Sequence, residues 1–271
     1  MGVLNVTPDS FSDGGKYEPL EKALNRAQSF VQAGATFIDI GGESSRPGAL
    51  PIPVDVEIAR VLPLIAELSD RYSDEVVISI DTRNRKTAEK AVQAGATLVN
   101  DISAFSYDPT MIDFMAESGV GIALMHAKDN PETMSWSTDG DAAQKYVYDD
   151  VVDEVHQYLQ KRKDVALNAG VNEESIILDI GLGFGKTASQ NFKLIREIDR
   201  FSDLGSPLLV GASRKSFLGE KGDNSGSDRL IPSLGVVFWC AERNVDILRV
   251  HDVEESISLL NLLSKIRKAQ N

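Results

Sequence analysis

The chain has 271 residues, 42% of them hydrophobic and 25% charged, a soluble globular balance that fits one domain, since single barrels run to about 250 residues. A net charge of −13 argues against nucleic acid as a partner and means that any anionic substrate is captured by local basic residues working against the overall field. The lone Cys240 excludes an internal disulfide, and no apolar run reaches the ~18 residues that span a membrane; with no secretory signal visible, a cytoplasmic enzyme with no membrane partner is expected.

Strand-like and helix-like segments alternate along the chain. Residues 1–5 read as a strand, followed by a polar loop from Val6 to Lys16. Leu20, Ala23, Leu24, Ala27, Phe30 and Val31 then share one face at a 3.6-residue period, which predicts a helix ending at Gly34. Gln32-Ala33-Gly34-Ala35-Thr36 recurs 61 residues later as Gln93-Ala94-Gly95-Ala96-Thr97, each time between an amphipathic helix and a buried strand. Glycine suits that junction, where the residue past a helix end takes the left-handed conformation.

The remaining strands are predicted at 36–40, 76–81, 97–101, 121–125, 176–180, 207–212 and 247–250. Helical patterns between them include Val54–Leu68, Ala143–Asn168 and Asp252–Lys268, the last opening with Asp252 and Glu255 at capping-box spacing. Eight buried strands with intervening helices and no break in composition predict a closed parallel (β/α)8 TIM barrel, one domain over 1–271. A doubly wound open sheet is the alternative. Cys240 sits in the apolar run Val236–Ala241 and reads as core packing.

The most informative stretch runs from Ile176 to Thr187, a buried strand that ends in alternating glycines. Gly185-Lys186-Thr187 matches the end of a phosphate-binding P-loop, but that motif needs a glycine five positions before Gly185, where Ile180 stands. What remains is Asp179 at the carboxyl end of the strand. A carboxylate there either faces a ligand or caps the next turn.

Ligands of such a barrel sit at the carboxyl ends of the strands. Strand one ends at Asn5, strand two leads to Glu43-Ser44-Ser45-Arg46, and strand three ends at Asp81. Asn100 and Asp101, His126 and Asp179 follow from strands four to six; Ser213-Arg214-Lys215-Ser216 follows strand seven, and Arg249 and His251 belong to strand eight. Each has a plain structural alternative: Arg214 as a bridge to a helix, Asp101 as a turn cap, His126 as a core histidine. Their common placement at one end is the stronger signal. Asp81, Asn100 and Asp179 form an acceptor-rich group suited to a flat heterocycle with several N–H donors. Arg46, Arg249 and His251, with Asn5 and Ser45, suit phosphate oxygens and a hard metal.

Asn5-Val6-Thr7-Pro8-Asp9-Ser10-Phe11-Ser12-Asp13-Gly14-Gly15 resembles the first signature of the dihydropteroate synthases, and Asp39-Ile40-Gly41-Gly42-Glu43-Ser44-Ser45-Arg46-Pro47-Gly48 the second. Ser213-Arg214-Lys215-Ser216-Phe217 and Arg249-Val250-His251-Asp252-Val253 resemble the later ones, so the resemblance runs from Met1 to the last helix. It implies the condensation of 6-hydroxymethyl-7,8-dihydropterin diphosphate with para-aminobenzoate, giving 7,8-dihydropteroate and diphosphate for folate synthesis.

By the same resemblance, Asp81, Asn100, Ile102, Met125, Asp179, Lys215 and Arg249 hold the pterin, with Arg249 stacked beneath its ring. Asn5 ligates magnesium, and Ser45, Arg249 and His251 contact the diphosphate. Thr7, Pro8, Arg46, Phe184, Lys215 and Ser216 flank the aminobenzoate, while Asp13, Arg46 and Lys215 take part in catalysis. Sulfonamides are implied as competitors and a homodimer as the assembly, through Leu234–Ala241 or the last helix. Three positions depart from the family's pattern: Ser45 for threonine, Ile180 for proline, and Asp129-Asn130 for Gly-Thr. None removes a functional group. Other readings are a methyltetrahydrofolate-dependent pterin-binding methyltransferase with a corrinoid partner, which has no need of the diphosphate-binding set, and a pterin-binding barrel without turnover.

Overall fold

The computed structural model describes residues 1–7, 18–137, 140, 142–219 and 229–269. Eight parallel strands pair in sequence order: β1 (Gly2–Asn5), β2 (Phe37–Gly41), β3 (Val77–Asp81), β4 (Leu98–Asp101), β5 (Gly121–Met125), β6 (Ile176–Asp179), β7 (Leu208–Val210) and β8 (Ile247–Leu248). Each lies at its expected place, with β7 and β8 the most shortened. Beyond β8, Val3 N donates to Val250 O and Val250 N to Met1 O, both at 2.9 Å.

Helices intervene between successive strands: α1 (Glu18–Ala33), α2 (Val54–Tyr72), α3 (Arg85–Gln93), α4 (Met111–Ser118), α5 (Ala142–Lys145), α6 (Val151–Asn168), α7 (Ala188–Arg196) and α8 (Leu230–Ala241), with α9 (Val253–Lys268) closing the chain. None of the described helices is long and apolar enough to cross a membrane. Ala23, Ala27 and Phe30 of α1 are fully buried, as their spacing requires.

The repeated pentapeptide is one structural device used twice. Ala35 N donates to Phe30 O and Ala96 N to Ala91 O, each at 2.9 Å, and Gly34 and Gly95 have φ of 97° and 112°. This six-to-one bond over a left-handed glycine satisfies carbonyls that the helix end would leave orphaned.

Helix α2 runs four residues beyond the expected Leu68, to Tyr72, and two helix starts also differ from expectation. The pattern over Ala143–Asn168 breaks into α5 and α6 because Asp150 caps the second: its carboxylate accepts from Val152 N at 2.8 Å and Asp153 N at 3.3 Å. The capping box of Asp252 and Glu255 does not form, because the Asp252 carboxylate accepts from Arg214 instead, with Nε at 3.0 Å. Cys240 is fully buried in α8, and burial pushes its thiol up to about 12, as suits a packing residue.

Side chains of a strand alternate between faces, so within β2 the fully buried Ile38 and Ile40 share one face and Asp39 takes the other. The register pairs Asp39 with Ser79, Asp81 with Asn100, and Met125 with Asp179. Polar groups at the carboxyl ends of β2 to β6 are thereby brought to neighbouring levels of one sheet face.

Candidate active site

Asp39 is the ionic centre of that face. It is 0% exposed; its Oδ1 accepts from Ser79 Oγ at 2.5 Å, and its Oδ2 from Asn100 Nδ2 at 3.1 Å and Arg249 Nε at 2.6 Å. Arg249 Nη2 reaches Asp81 Oδ2 at 2.7 Å, so one guanidinium spans two carboxylates. Burial works against the Arg249 charge, yet Asp39 and Asp81 outweigh it and raise its pKa. Burial also raises Asp81, against the pull of Arg249 and with the push of Asp39. The sequence places Asp39 in a buried strand and at the head of the second signature without assigning it a role. The signal that singled out Asp179, a carboxylate among isoleucines, applied to it equally.

Asp81, Asn100, Ile102, Met125, Asp179, Phe184, Lys215 and Arg249 line one pocket, together with Ser45 at its rim. Nine of the expected residues therefore converge. The free space between them is only about 10 Å³, room for a single water. Lys215 Nζ rests 4.0 Å from the Phe184 ring centroid, and Arg249 is held by its ion pairs to Asp39 and Asp81.

Two features suit the pocket to a ring bearing N–H donors. Asn100 is 1% exposed and its Oδ1 has no hydrogen-bond partner among the described residues, although its Nδ2 is anchored on Asp39. Asp179, also buried, accepts from Gly181 N at 2.7 Å through Oδ1. The turn-cap and ligand readings of Asp179 are thus compatible, one oxygen serving the turn while the carboxylate lines the pocket. Burial raises its pKa, and Gly181 N, Arg249 and Lys215 oppose the rise. Lys215 is itself lowered to about 8, by burial first and Arg249 second.

The glycine-rich stretch after β6 is built around Lys186, which is fully buried. Its Nζ donates to Gly181 O at 2.8 Å, Phe184 O at 3.0 Å and His126 O at 3.3 Å. The lysine of the incomplete P-loop therefore holds its own loop together rather than a phosphate. Gly181 has φ of 63°, and a Cβ there would lie 1.9 Å from His126 O, so only glycine allows the close approach. Phe184 is carried on this loop into the pocket wall.

Of the residues expected at the diphosphate and aminobenzoate, Ser45, Phe184, Lys215 and Arg249 line the pocket, whereas Asn5, Thr7, Arg46, Ser216 and His251 do not. His251 is partly buried, its Nδ1 3.1 Å from Ser213 Oγ; burial first, then Arg249, Arg214 and Lys215, lower it to about 3, so its ring is neutral near pH 7. Asn5 Oδ1 lies 3.2 Å from where a Gly41 Cβ would stand. Ser216 is buried at the start of a short 3₁₀ turn, Thr7 is partly buried after β1, and Arg46 is exposed on the β2 loop. Pro8 and Asp13 lie outside the described residues.

The structural alternatives hold for three residues. Asp101 caps its own turn, accepting from Ser103 N at 2.8 Å and Phe105 N at 2.7 Å. Arg214 bridges to Asp252. His126 is a core residue, its ring set edge-on to Tyr158 with centroids 4.8 Å apart, and burial lowers its pKa strongly.

The profile of the family described as pterin binding enzyme matches residues 1–251. The dihydropteroate synthase of Synechocystis sp. is 44% identical over 255 residues, covering 94% of this chain and 85% of that protein. The Xanthomonas albilineans dihydropteroate synthase, solved with 4-aminobenzoic acid, superposes with a TM-score of 0.89 at 37% identity, covering 100% of this chain and 93% of the other. The Yersinia pestis dihydropteroate synthase, solved in a sulfonamide drug complex, gives 0.88 at 36%, covering 99% and 94%. With a family profile spanning residues 1–251 and a relative 44% identical over 94% of its length, this chain belongs to the pterin-binding enzymes, among the dihydropteroate synthases.

Proposed function

We infer that the chain joins para-aminobenzoate to 6-hydroxymethyl-7,8-dihydropterin diphosphate, forming 7,8-dihydropteroate and releasing diphosphate in folate biosynthesis. The supporting observation is the buried acceptor set, Asp81, Asp179 and the unpartnered Asn100 Oδ1, facing Lys215 and Arg249 in one pocket. A pterin carries several N–H donors in one plane, and these acceptors satisfy them while the apolar Ile102, Met125 and Phe184 cover its faces.

Bond breaking precedes bond making in this reading. The methylene carbon–oxygen bond to diphosphate breaks with the electron pair leaving on oxygen, and the electron-rich pterin stabilises the methylene cation. The aryl amine then attacks the methylene and gives up one proton. In this reading Arg249 and Ser45, which line the pocket, and the nearby His251 contact the departing diphosphate. Arg46, Thr7 and Ser216 receive the aminobenzoate beside Phe184 and Lys215, and the β2 loop that carries Arg46 excludes the water that would trap the cation; the roles of Pro8 and Asp13 rest on the family resemblance alone.

Magnesium belongs to the same proposal. Among the described residues no group of three or more His, Cys, Asp or Glu stands together to cage a metal. Asn5 at the end of β1 offers a hard amide oxygen, and Mg²⁺ commonly takes one or two protein oxygens, leaving the rest to substrate phosphates and water. Bound there it would neutralise charge on the leaving diphosphate.

The bonds of Val250 to Met1 and Val3 support a closed eight-stranded barrel forming one domain over 1–271. A cytoplasmic location, a homodimer and sulfonamides as competitors of aminobenzoate rest on the family alone. The test is incubation with both substrates and magnesium, following diphosphate and dihydropteroate together. Turnover with methyltetrahydrofolate and a corrinoid acceptor but not with these substrates overturns the reading.

A further inference from the structure

Arg83 is a buried cation for which the reaction has no direct use. It stands two residues after Asp81, on the loop leaving β3, and is only 4% exposed. Its Nη2 donates to Glu43 Oε1 at 2.6 Å and to Glu132 Oε1 at 3.0 Å, and its guanidinium lies 4.2 Å from the Tyr107 ring centroid.

Those carboxylates belong to two other loops. Glu43 is on the β2 loop, just before Ser45 and Arg46, and its Oε2 accepts from Ile52 N at 3.0 Å, which closes that loop upon itself. Glu132 is on the β5 loop, where Pro131 O accepts from Gly48 N at 2.8 Å. The segment carrying Ser45 and Arg46 is thus tied to the β3 and β5 loops by one ionic and one backbone link.

We propose that Arg83 is a positioning residue: by clamping Glu43 and Glu132 to the β3 loop it sets the place of Ser45 and Arg46 over the pocket, and with it the capture of aminobenzoate. This rests on the assignment of Arg46 to aminobenzoate given above. The electrostatics make the clamp more than a passive tie. Both carboxylates approach the same nitrogen, so without the guanidinium they repel each other across a short gap, and the loop is driven outward rather than merely loosened. Lysine cannot replace the fork fully, because a point charge on a flexible stem lacks the planar donor geometry.

The test is steady-state kinetics for aminobenzoate on the intact enzyme, with calorimetry of 6-hydroxymethylpterin and thermal melts, for Arg83→Met, Arg83→Lys, Glu132→Gln and the pair Arg83→Met/Glu132→Gln. Arg83→Met is expected to raise the aminobenzoate KM by about tenfold, while pterin affinity stays within about twofold. Arg83→Lys should recover part of that loss. Glu132→Gln, a milder change at a partly exposed residue, should raise the KM a few-fold alone but, by removing one side of the repulsion, lower the KM of Arg83→Met rather than raise it further. Independent, multiplying effects of the two substitutions, or an equal loss of pterin affinity and aminobenzoate capture, would overturn the clamp. Arg46→Ala separates the two readings. If it leaves the aminobenzoate KM unchanged, the assignment of Arg46 is wrong; if it raises the KM while Arg83→Met and Glu132→Gln do not, the clamp is wrong.

Discussion

Asn100 Nδ2 donates to Asp39 Oδ2 across 3.1 Å, and the two residues stand 61 apart in the chain, at the same position of the repeated helix-to-strand module. The repeat delivers a carboxylate on β2 and an amide on β4 to one sheet face, with β3 between them. Because the amide nitrogen is bound to Asp39, its oxygen is the end left for a ligand.

Replacing Asp39 with Asn keeps the shape but leaves Arg249 with Asp81 as its one carboxylate partner among the described residues. Removing one member of a buried pair costs about 3–5 kcal/mol, and the surviving Asp81 contact puts the expected loss at the lower end. Urea unfolding measures it. A loss under about 1 kcal/mol, the range of an exposed pair, would mean that the pocket is wet enough to screen Arg249.

Asp179 separates turn from ligand by chemistry. Asp179→Asn retains an oxygen for Gly181 N, so the melting temperature should hold, while pterin affinity falls by roughly 10- to 150-fold with the charge-assisted contact. Asp179→Ala should lose the cap as well and melt about 2–4 °C lower. Calorimetry showing full pterin affinity in Asp179→Asn would reduce the residue to a turn cap.

Burial lowers the Lys186 ammonium to about 7 from its ordinary 10.5, with Asp179 opposing. Between those values the unfolded chain holds more protons than the folded one, so this group makes stability rise with pH across that window. Below about pH 7 the folded protein carries the whole cost of burying the charge. The stability difference between the parent and Lys186→Met should therefore move in the parent's favour from about pH 7 to about pH 10. Chemical unfolding at several pH values reads it. A constant difference would mean that the carbonyls of Gly181, Phe184 and His126 keep the ammonium at its ordinary pKa.

Asp13 and Arg46 belong to glycine- and serine-containing stretches of the sequence after the first two strands, so neither is expected to build the sheet. Asp13→Ala should leave the melting temperature and free-enzyme pterin affinity nearly unchanged while lowering kcat and kcat/KM together. Arg46→Ala should in addition weaken aminobenzoate capture. Pterin calorimetry beside steady-state kinetics decides it: an equal loss of pterin binding and turnover in Asp13→Ala would make it a ground-state contact and sink the closing-loop mechanism.

By itself the sequence determined the strands, the glycine-closed helix ends and the polar residues carried at strand ends, because each depends on local period and backbone preference. It also determined the family, through motifs that hold their order along the chain. Partner choice among buried charges was decided only by tertiary structure. Asp252 was in position to cap α9 and pairs instead with Arg214; Lys186 completes a phosphate-loop ending and instead binds three carbonyls; Asp39 looked like one residue of a buried strand and is the ion-pair centre of the pocket. Local pattern cannot settle such choices. The energy of a buried charge depends on which opposite charge the register brings within about 3 Å, and those partners lie as far as 210 residues away in the chain.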